Sequence, residues 1–222
     1  MTADRLYGTN SIQCALKEVG DVGLGQTEDQ DKNNPRQRLL NVAAALFAEK
    51  GYASASVREI VHAAGVTKPV LYYYFNNKEG IFRAILEFAE EKHQEILTDV
   101  AQSQGVFFER IILLYQKFGE GISRHQNEFK LLINLFFGPS QGGAPEYDLE
   151  VFPSMLIEVI QSLYQDGVVK GQVIETDPET VALLFLSLFK LFLPEDGWLA
   201  QSDDTELPLK VVRLAFRGLE KN

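Results

Sequence analysis

The side chains able to do chemistry in this chain fall into two groupings. The first consists of two Glu-x-x-His pairs, Glu59 with His62 and Glu90 with His93. Di-iron helical bundles hold metal at that spacing, but they need two further glutamates and both pairs in one bundle. Here one pair falls in a short helix-turn-helix segment and the other on a longer helix, so no metal site is expected. His125 stands with Arg124 and Glu128 at a helix start, without a catalytic partner. The single cysteine, Cys14, lies in a polar arm; one thiol allows no internal disulfide and fits a reducing compartment. No G-x-x-x-x-G-K-[ST] phosphate loop occurs. The expectation is therefore a protein that is not an enzyme and needs no cofactor. The second grouping is cationic and hydroxyl-bearing: Arg36, Ser56, Arg58, Thr67, Lys68 and Lys78 all fall within residues 35–80. Such side chains hold phosphate oxygens rather than make or break bonds.

The charge distribution separates that segment from the rest. The 222 residues carry a formal charge of −10, which argues against broad coating of nucleic acid. Residues 35–80 hold six Lys and Arg against three Asp and Glu, whereas residues 81–222 hold twelve against twenty-two. A locally basic head on an acidic body suits a domain that meets phosphate while the remainder stays clear of it. At 45% hydrophobic and 23% charged, the composition is that of an ordinary soluble chain, long enough for a sizeable core.

The elements that position the basic residues can be read from their periodicity. Leu39, Leu40, Ala43, Leu46 and Phe47 recur at helical spacing after Pro35, and Gly51 ends that helix. Ser56 and Glu59 form a capping box for a short helix over 57–64. Gly65 provides a turn, Thr67 caps a second short helix, and Pro69 sits in its first turn. Two short helices joined by a tight glycine turn make a helix-turn-helix. Asn77 caps the next helix, which continues through Phe82, Ile85, Leu86, Ala89 and Leu97.

The set Phe47, Gly51, Tyr52, Ser56, Ile60, Ala63, Gly65, Val66, Leu71, Tyr72, Tyr74, Phe75, Lys78 and Glu79, with the run GVTKPVLYYYFNNKEGIF, resembles the TetR family of transcriptional regulators. The usual pattern has an acidic residue where Gly80 stands, a departure that weakens the cap there. The resemblance implies that Thr67 and Lys68 lie at the groove end of a recognition helix, where Thr67 meets a phosphate or base edge and Lys68 a guanine or phosphate. Pro69 and Val70 offer apolar surface, Tyr73 an exposed hydroxyl for the DNA backbone, and Lys78 an ammonium beside helix amides suited to phosphate. Ser56 and Arg58 grip the other strand, and Arg36 touches phosphate. Tyr72 and Phe75 are expected in a small three-helix core, because duplex reading does not use stacking; Tyr74 is left open between core and surface.

Beyond residue 80 the chain resembles the family only in size and helical character. The pattern predicts an all-α fold: a flexible arm at 1–34, the helix-turn-helix domain at 35–80, and a helical ligand-binding and dimerisation domain at 81–222. Helices are expected at 106–120 (closed by Gly119 and Gly121), 124–137, 146–166, 178–193 and 206–220. The thirteen residues 181–193 are apolar on all sides yet shorter than the roughly 20 that span a membrane. No basic and apolar leader pattern occurs in residues 1–34, and a cytoplasmic location is expected. Family resemblance implies an effector pocket in the body, for which Tyr115, Phe118, Glu128, Asn134, Phe137, Phe152, Met155 and Phe189 are the candidates. A lipophilic neutral or cationic effector fits the lining. The dimer seam is expected at Leu184, Leu188 and Leu191 with Val212, Ala215, Phe216 and Leu219, the alternative being that the last helix lids its neighbour within one chain. The functional expectation is a dimeric repressor that binds a palindromic operator and is released by the effector. The rival from another class is a helical protein-interaction module without specific DNA binding.

Overall fold

The computed structural model describes residues 34–137, 143–189 and 207–219. The expectations for the arm with Cys14 and for Leu191 fall outside the described residues, and Phe137 is described only as part of a helix backbone. Among the described residues there are nine α-helices: α1 (Pro35–Ser54), α2 (Val57–Ala63), α3 (Lys68–Phe75), α4 (Lys78–Gln102), α5 (Phe107–Arg124), α6 (Gln126–Phe137), α7 (Val151–Val169), α8 (Pro178–Phe189) and α9 (Leu207–Arg217). The all-α expectation holds. No helix of the described residues is long and apolar enough to cross a membrane.

The head begins with Asn34, whose side chain accepts from the Arg36 amide at 2.9 Å, with Pro35 opening the helix. Gly51 breaks α1 at φ 81°, and one further turn runs to Ser54. The box at α2 forms as read: the Glu59 amide donates to Ser56 Oγ at 3.2 Å, and the Ser56 amide to Glu59 Oε2 at 2.8 Å. Gly65 turns the chain at φ 63°. Thr67 precedes α3, but its side chain makes no cap bond, unlike the expectation. Phe47, Tyr52 and Phe82 form an aromatic trio with centroids 5.0–5.6 Å apart, joining α1 to α4.

Between α3 and α4 the chain reverses within three residues. Asn76 has φ 65° and ψ −46°, and the Asn77 amide donates to the Phe75 carbonyl at 2.7 Å. That is a γ-turn of the rare, strained hand. The Asn77 side chain then accepts from the Gly80 amide at 2.8 Å, so the cap forms despite the missing acidic residue. The glycine has a physical reason: a Cβ at Gly80 would stand 1.9 Å from the Phe75 carbonyl oxygen.

Two apolar clusters hold the molecule together. The first fills the head and extends into the body through Leu131, Leu132 and Phe152. Asn134 Nδ2 donates to the Ala48 carbonyl at 2.8 Å, tying α6 to α1. The second gathers the far half of α4 with α5, α7, α8 and α9. Here α5 runs straight through Gly119 and Gly121 to Arg124, contrary to the expected stop. Gly121 serves close packing instead, since a Cβ would lie 3.1 Å from Ile96 Cδ1. Helix α7 starts at Val151, five residues later than expected.

The expected seam is corrected at α9. Val212, Phe216 and Leu219 are buried inside one chain, and the Phe216 ring lies 4.5 Å from that of Phe108 and 6.1 Å from that of Phe107. The last helix is a lid on its own body. What remains outward is Leu214 on α9 together with Leu183 and Leu184 on α8; Leu188 and Ala215 are half-buried.

Candidate nucleic-acid interface

Leu71 and Phe75, four residues apart, turn into the head core and fix which way α3 faces. Its first turn is therefore presented to solvent: Thr67, Lys68 and Pro69 are exposed and Val70 is half-buried against the core. The Thr67 carbonyl accepts from the Val70 amide at 3.1 Å, which leaves the hydroxyl unengaged by the cap. Tyr73 is 82% exposed and packs edge-on to Tyr74 at 5.0 Å. Tyr72, expected in the core, is 47% exposed, and Tyr74 also faces out. The core admits one i, i+4 pair from so short a helix, and Leu71 with Phe75 takes it. That same count was available in the sequence and would have placed Tyr72 on the surface.

Ser56 and Arg58 are exposed at the start of α2. Ser56 Oγ accepts within the capping box, so its own hydrogen is free to donate outward. Glu59 is locked by Lys50 Nζ at 2.6 Å, and the hydrogen bonds from Lys50 and Ser56 pull its pKa down to about 2. That carboxylate is neutralised locally rather than facing an approaching phosphate bare. Arg36 is exposed, with its guanidinium 5.5 Å from the Phe75 ring centroid, which holds the cation beside the end of α3.

Lys78 is placed otherwise than expected. Its ammonium donates to the carbonyls of Tyr52 at 2.9 Å and Ala55 at 3.1 Å, and lies 4.1 Å from the Tyr52 ring centroid. The break at Gly51 leaves carbonyls without helical partners, and Lys78 satisfies two acceptors in that stretch. Its charge is spent on the joint between α1 and α4.

The candidate pocket residues divide. Tyr115 is buried and its hydroxyl donates to the Phe185 carbonyl at 2.6 Å; burial raises its pKa. Phe118 and Phe189 meet edge to face at 4.6 Å, and Tyr115 stacks on Phe189 at 5.9 Å. Met155 is half-buried against the same cluster. Glu128 is buried, and loss of hydration raises its pKa. Phe152 belongs with the head cluster, 6.1 Å from Phe136. Asn134 is committed to Ala48 at the head and does not belong with the others.

His93, weighed in the sequence only as half of a Glu-x-x-His pair, proves to be a buried residue of the body. It is 6% exposed, its ring lies 5.2 Å from Phe118 and 5.4 Å from Phe152, and its Nε2 has no hydrogen-bond partner. Burial lowers its pKa to about 4, partly offset by the Phe152 backbone. The signal was its register: His93 stands four residues from both Ala89 and Leu97, on the buried stripe of α4. A separate polar cleft of about 320 Å³ lies where Arg110 pairs with Asp166 at 3.0 Å, with Lys170 and Ser162 beside it. Among the described residues no three or more His, Cys, Asp or Glu come together as a metal site would need.

Residues 39–85 match the family model of bacterial regulatory proteins, tetR family. The chain is similar to the HTH-type transcriptional regulator AcrR of Shigella flexneri, 39% identical over 33% of this chain and 34% of the relative. It is similar to the HTH-type transcriptional repressor KstR2 of Rhodococcus jostii, 31% identical over 46% and 53%. These alignments take in only a third to a half of the relatives' length. An alignment covering 83% of this chain and 92% of the relative, at 27% identity, joins it to the HTH-type regulator YdgC of Bacillus subtilis. Among solved structures, a TetR/AcrR family regulator from Thermobifida fusca superposes with a TM-score of 0.60 at 29% identity, covering 85% of this chain and 100% of that one. A gamma-butyrolactone receptor (ArpA like protein) shares the fold, with a TM-score of 0.67 at 23% identity over 85% and 89%.

Proposed function

The chain belongs to the TetR family of helix-turn-helix regulators, and from that premise we propose that it is a dimeric transcriptional repressor that grips an inverted repeat and is released by a small lipophilic effector. The observation that carries this reading is α3. Its inward residues anchor it to the head, while Thr67, Lys68, Pro69 and Tyr73 stand exposed on its outer side. A helix so presented enters a major groove with its first turn at the base edges. Thr67 and Lys68 read or position, Val70 and Pro69 meet a thymine methyl, and Tyr72 and Tyr73 hold backbone phosphates. Ser56, Arg58 and Arg36 flank them. The KstR2 relative of Rhodococcus jostii, named as a repressor, supports the negative mode.

Two half-sites need two heads, and the outward apolar residues Leu183, Leu184 and Leu214 supply the seam. Residues 35–80 act as the DNA-binding unit and 81–222 as the sensor and dimerisation unit. The work is done in the cytoplasm, with the DNA.

The test is binding to genomic fragments selected by the protein itself. Fluorescence anisotropy against the recovered inverted repeat and against scrambled duplex, as salt rises, separates specific from electrostatic binding. A preference of at least about a thousandfold that survives added salt supports the reading. Equal affinity for both duplexes sinks it.

A further inference from the structure

We propose that His93 is the polar anchor of the effector site, and that it selects uncharged aromatic or alicyclic molecules carrying one hydroxyl or N–H donor. The inference rests on the regulator reading above and names the chemistry of its sensor. His93 is sealed in the body with an unpartnered Nε2, between the Phe118 and Phe152 rings. The backbone of Phe152 favours the charged ring, so it acts as an acceptor. In the tautomer with its hydrogen on Nδ1, Nε2 is a bare acceptor, and that is the form a donor-bearing ligand would take up. A buried acceptor without a donor is a standing cost to the ligand-free fold, and a ligand that supplies the donor recovers it. The walls on either side are carbon, so the remainder of that ligand is flat and apolar.

Position gives the site its reach. Phe152 belongs to the apolar cluster that includes the head, and Phe118 to the cluster of the body. His93 thus stands where the two cores meet. A molecule seated on Nε2 must displace a neighbouring ring, Phe118 or Phe152, and α7, which carries Phe152, also carries the pliable thioether of Met155. Displacing Phe152 moves a member of the head's own core, which is the differential interaction that any ligand-driven shift requires.

Indole and indene are matched in shape and differ in one N–H donor. By isothermal titration calorimetry the wild-type protein is expected to bind indole about tenfold more tightly than indene. In protein labelled with 15N-histidine, the His93 Nε2 resonance should move with indole and not with indene. His93→Leu should erase the preference while melting at the same temperature or higher, and His93→Gln, which returns an acceptor, should restore part of it. Indole should also loosen operator binding by the wild type and not by His93→Leu. Equal affinity of the wild type for the two probes, no binding of either at millimolar concentration, or an unmoved Nε2 resonance overturns the proposal, and these readings need no variant. Operator affinity of the ligand-free protein is measured on the same samples. If it is intact while the indole preference is absent, only this inference fails; if it is absent while the preference stands, the DNA reading fails instead.

Discussion

Lys68 and Lys78 are both lysines at the start of a helix, and their surroundings give them opposite work. Lys68 is exposed in the first turn of α3. Lys68→Ala should lower affinity for the cognate repeat by about 1–3 kcal/mol per half-site, with an unchanged melting temperature; anisotropy and thermal melts on one preparation check both. Lys78 is bound to two carbonyls and an aromatic face. Lys78→Met should therefore lower the stability of the head by about 1–3 kcal/mol, the range for stranding polar groups, while the salt slope of DNA binding stays as it was. A flattened slope with full stability would return Lys78 to the phosphate-facing set. Sequence reading found the cations but not the direction of Lys78, because the carbonyls it serves come from a helix break 26 residues earlier. Tyr72 is misplaced for a different reason: that duplex reading does not use stacking says nothing of which side of α3 a tyrosine takes, and the i, i+4 pair of Leu71 and Phe75 decides it.

At the scale of elements, the joint between α3 and α4 sets the angle at which the reading helix leaves the head. Gly→Ala inside a helix ordinarily stabilises by up to about 1 kcal/mol. At Gly80 the sign should reverse, because the added methyl would meet the Phe75 carbonyl at 1.9 Å. Gly80→Ala is expected to destabilise by more than about 2 kcal/mol through strain and lost backbone geometry, and urea denaturation gives the number. A neutral or stabilising result would mean that the joint relaxes freely. The final helix makes a second case. Phe216→Glu buries a carboxylate against Phe108 and should unfold the body, seen as lost helical circular dichroism. Leu214→Glu, at a site 68% exposed, should keep full helicity and shift light scattering towards monomer. Helix existence was legible throughout from the period of apolar residues. The inward side of α9 was not, since α8 and α9 are both apolar enough to cover either a neighbour or a second copy.

The molecule as a whole should register His93 in its stability against pH. A histidine whose folded pKa is about 4, against an ordinary value of 6.5, takes its proton more readily unfolded than folded. The fold bears no protonation penalty from this group above pH 6.5; the penalty grows as pH falls and reaches its full size below about 4. The total is roughly 3 kcal/mol by linkage. Denaturant titrations at pH 7 and pH 5 should show most of the loss already, before the Glu59 pairing begins to fail below 4.5. His93→Leu should reduce the slope in that window, leaving the share of His125, whose pKa burial also lowers; an equal slope in the variant would assign it to other groups. The basic head and acidic body were plain in the charge count. The site inside the body was not, because a buried, unpartnered nitrogen arises from three helices that the sequence does not show meeting.

The insertion of Leu131, Leu132 and Phe152 into the head's apolar cluster bears on how amide protons leave this protein. A recognition head held by its own core would open alone, and its amides would exchange at their own rate. Here α1 cannot loosen without stripping α6 and breaking the bond from Asn134 to Ala48. The slowest amides of α1 and α6 should therefore exchange together, with one opening free energy. A fragment ending at Gln102 would leave that flank of α1 wet, its slow protons gone although every residue thought to touch DNA is still present.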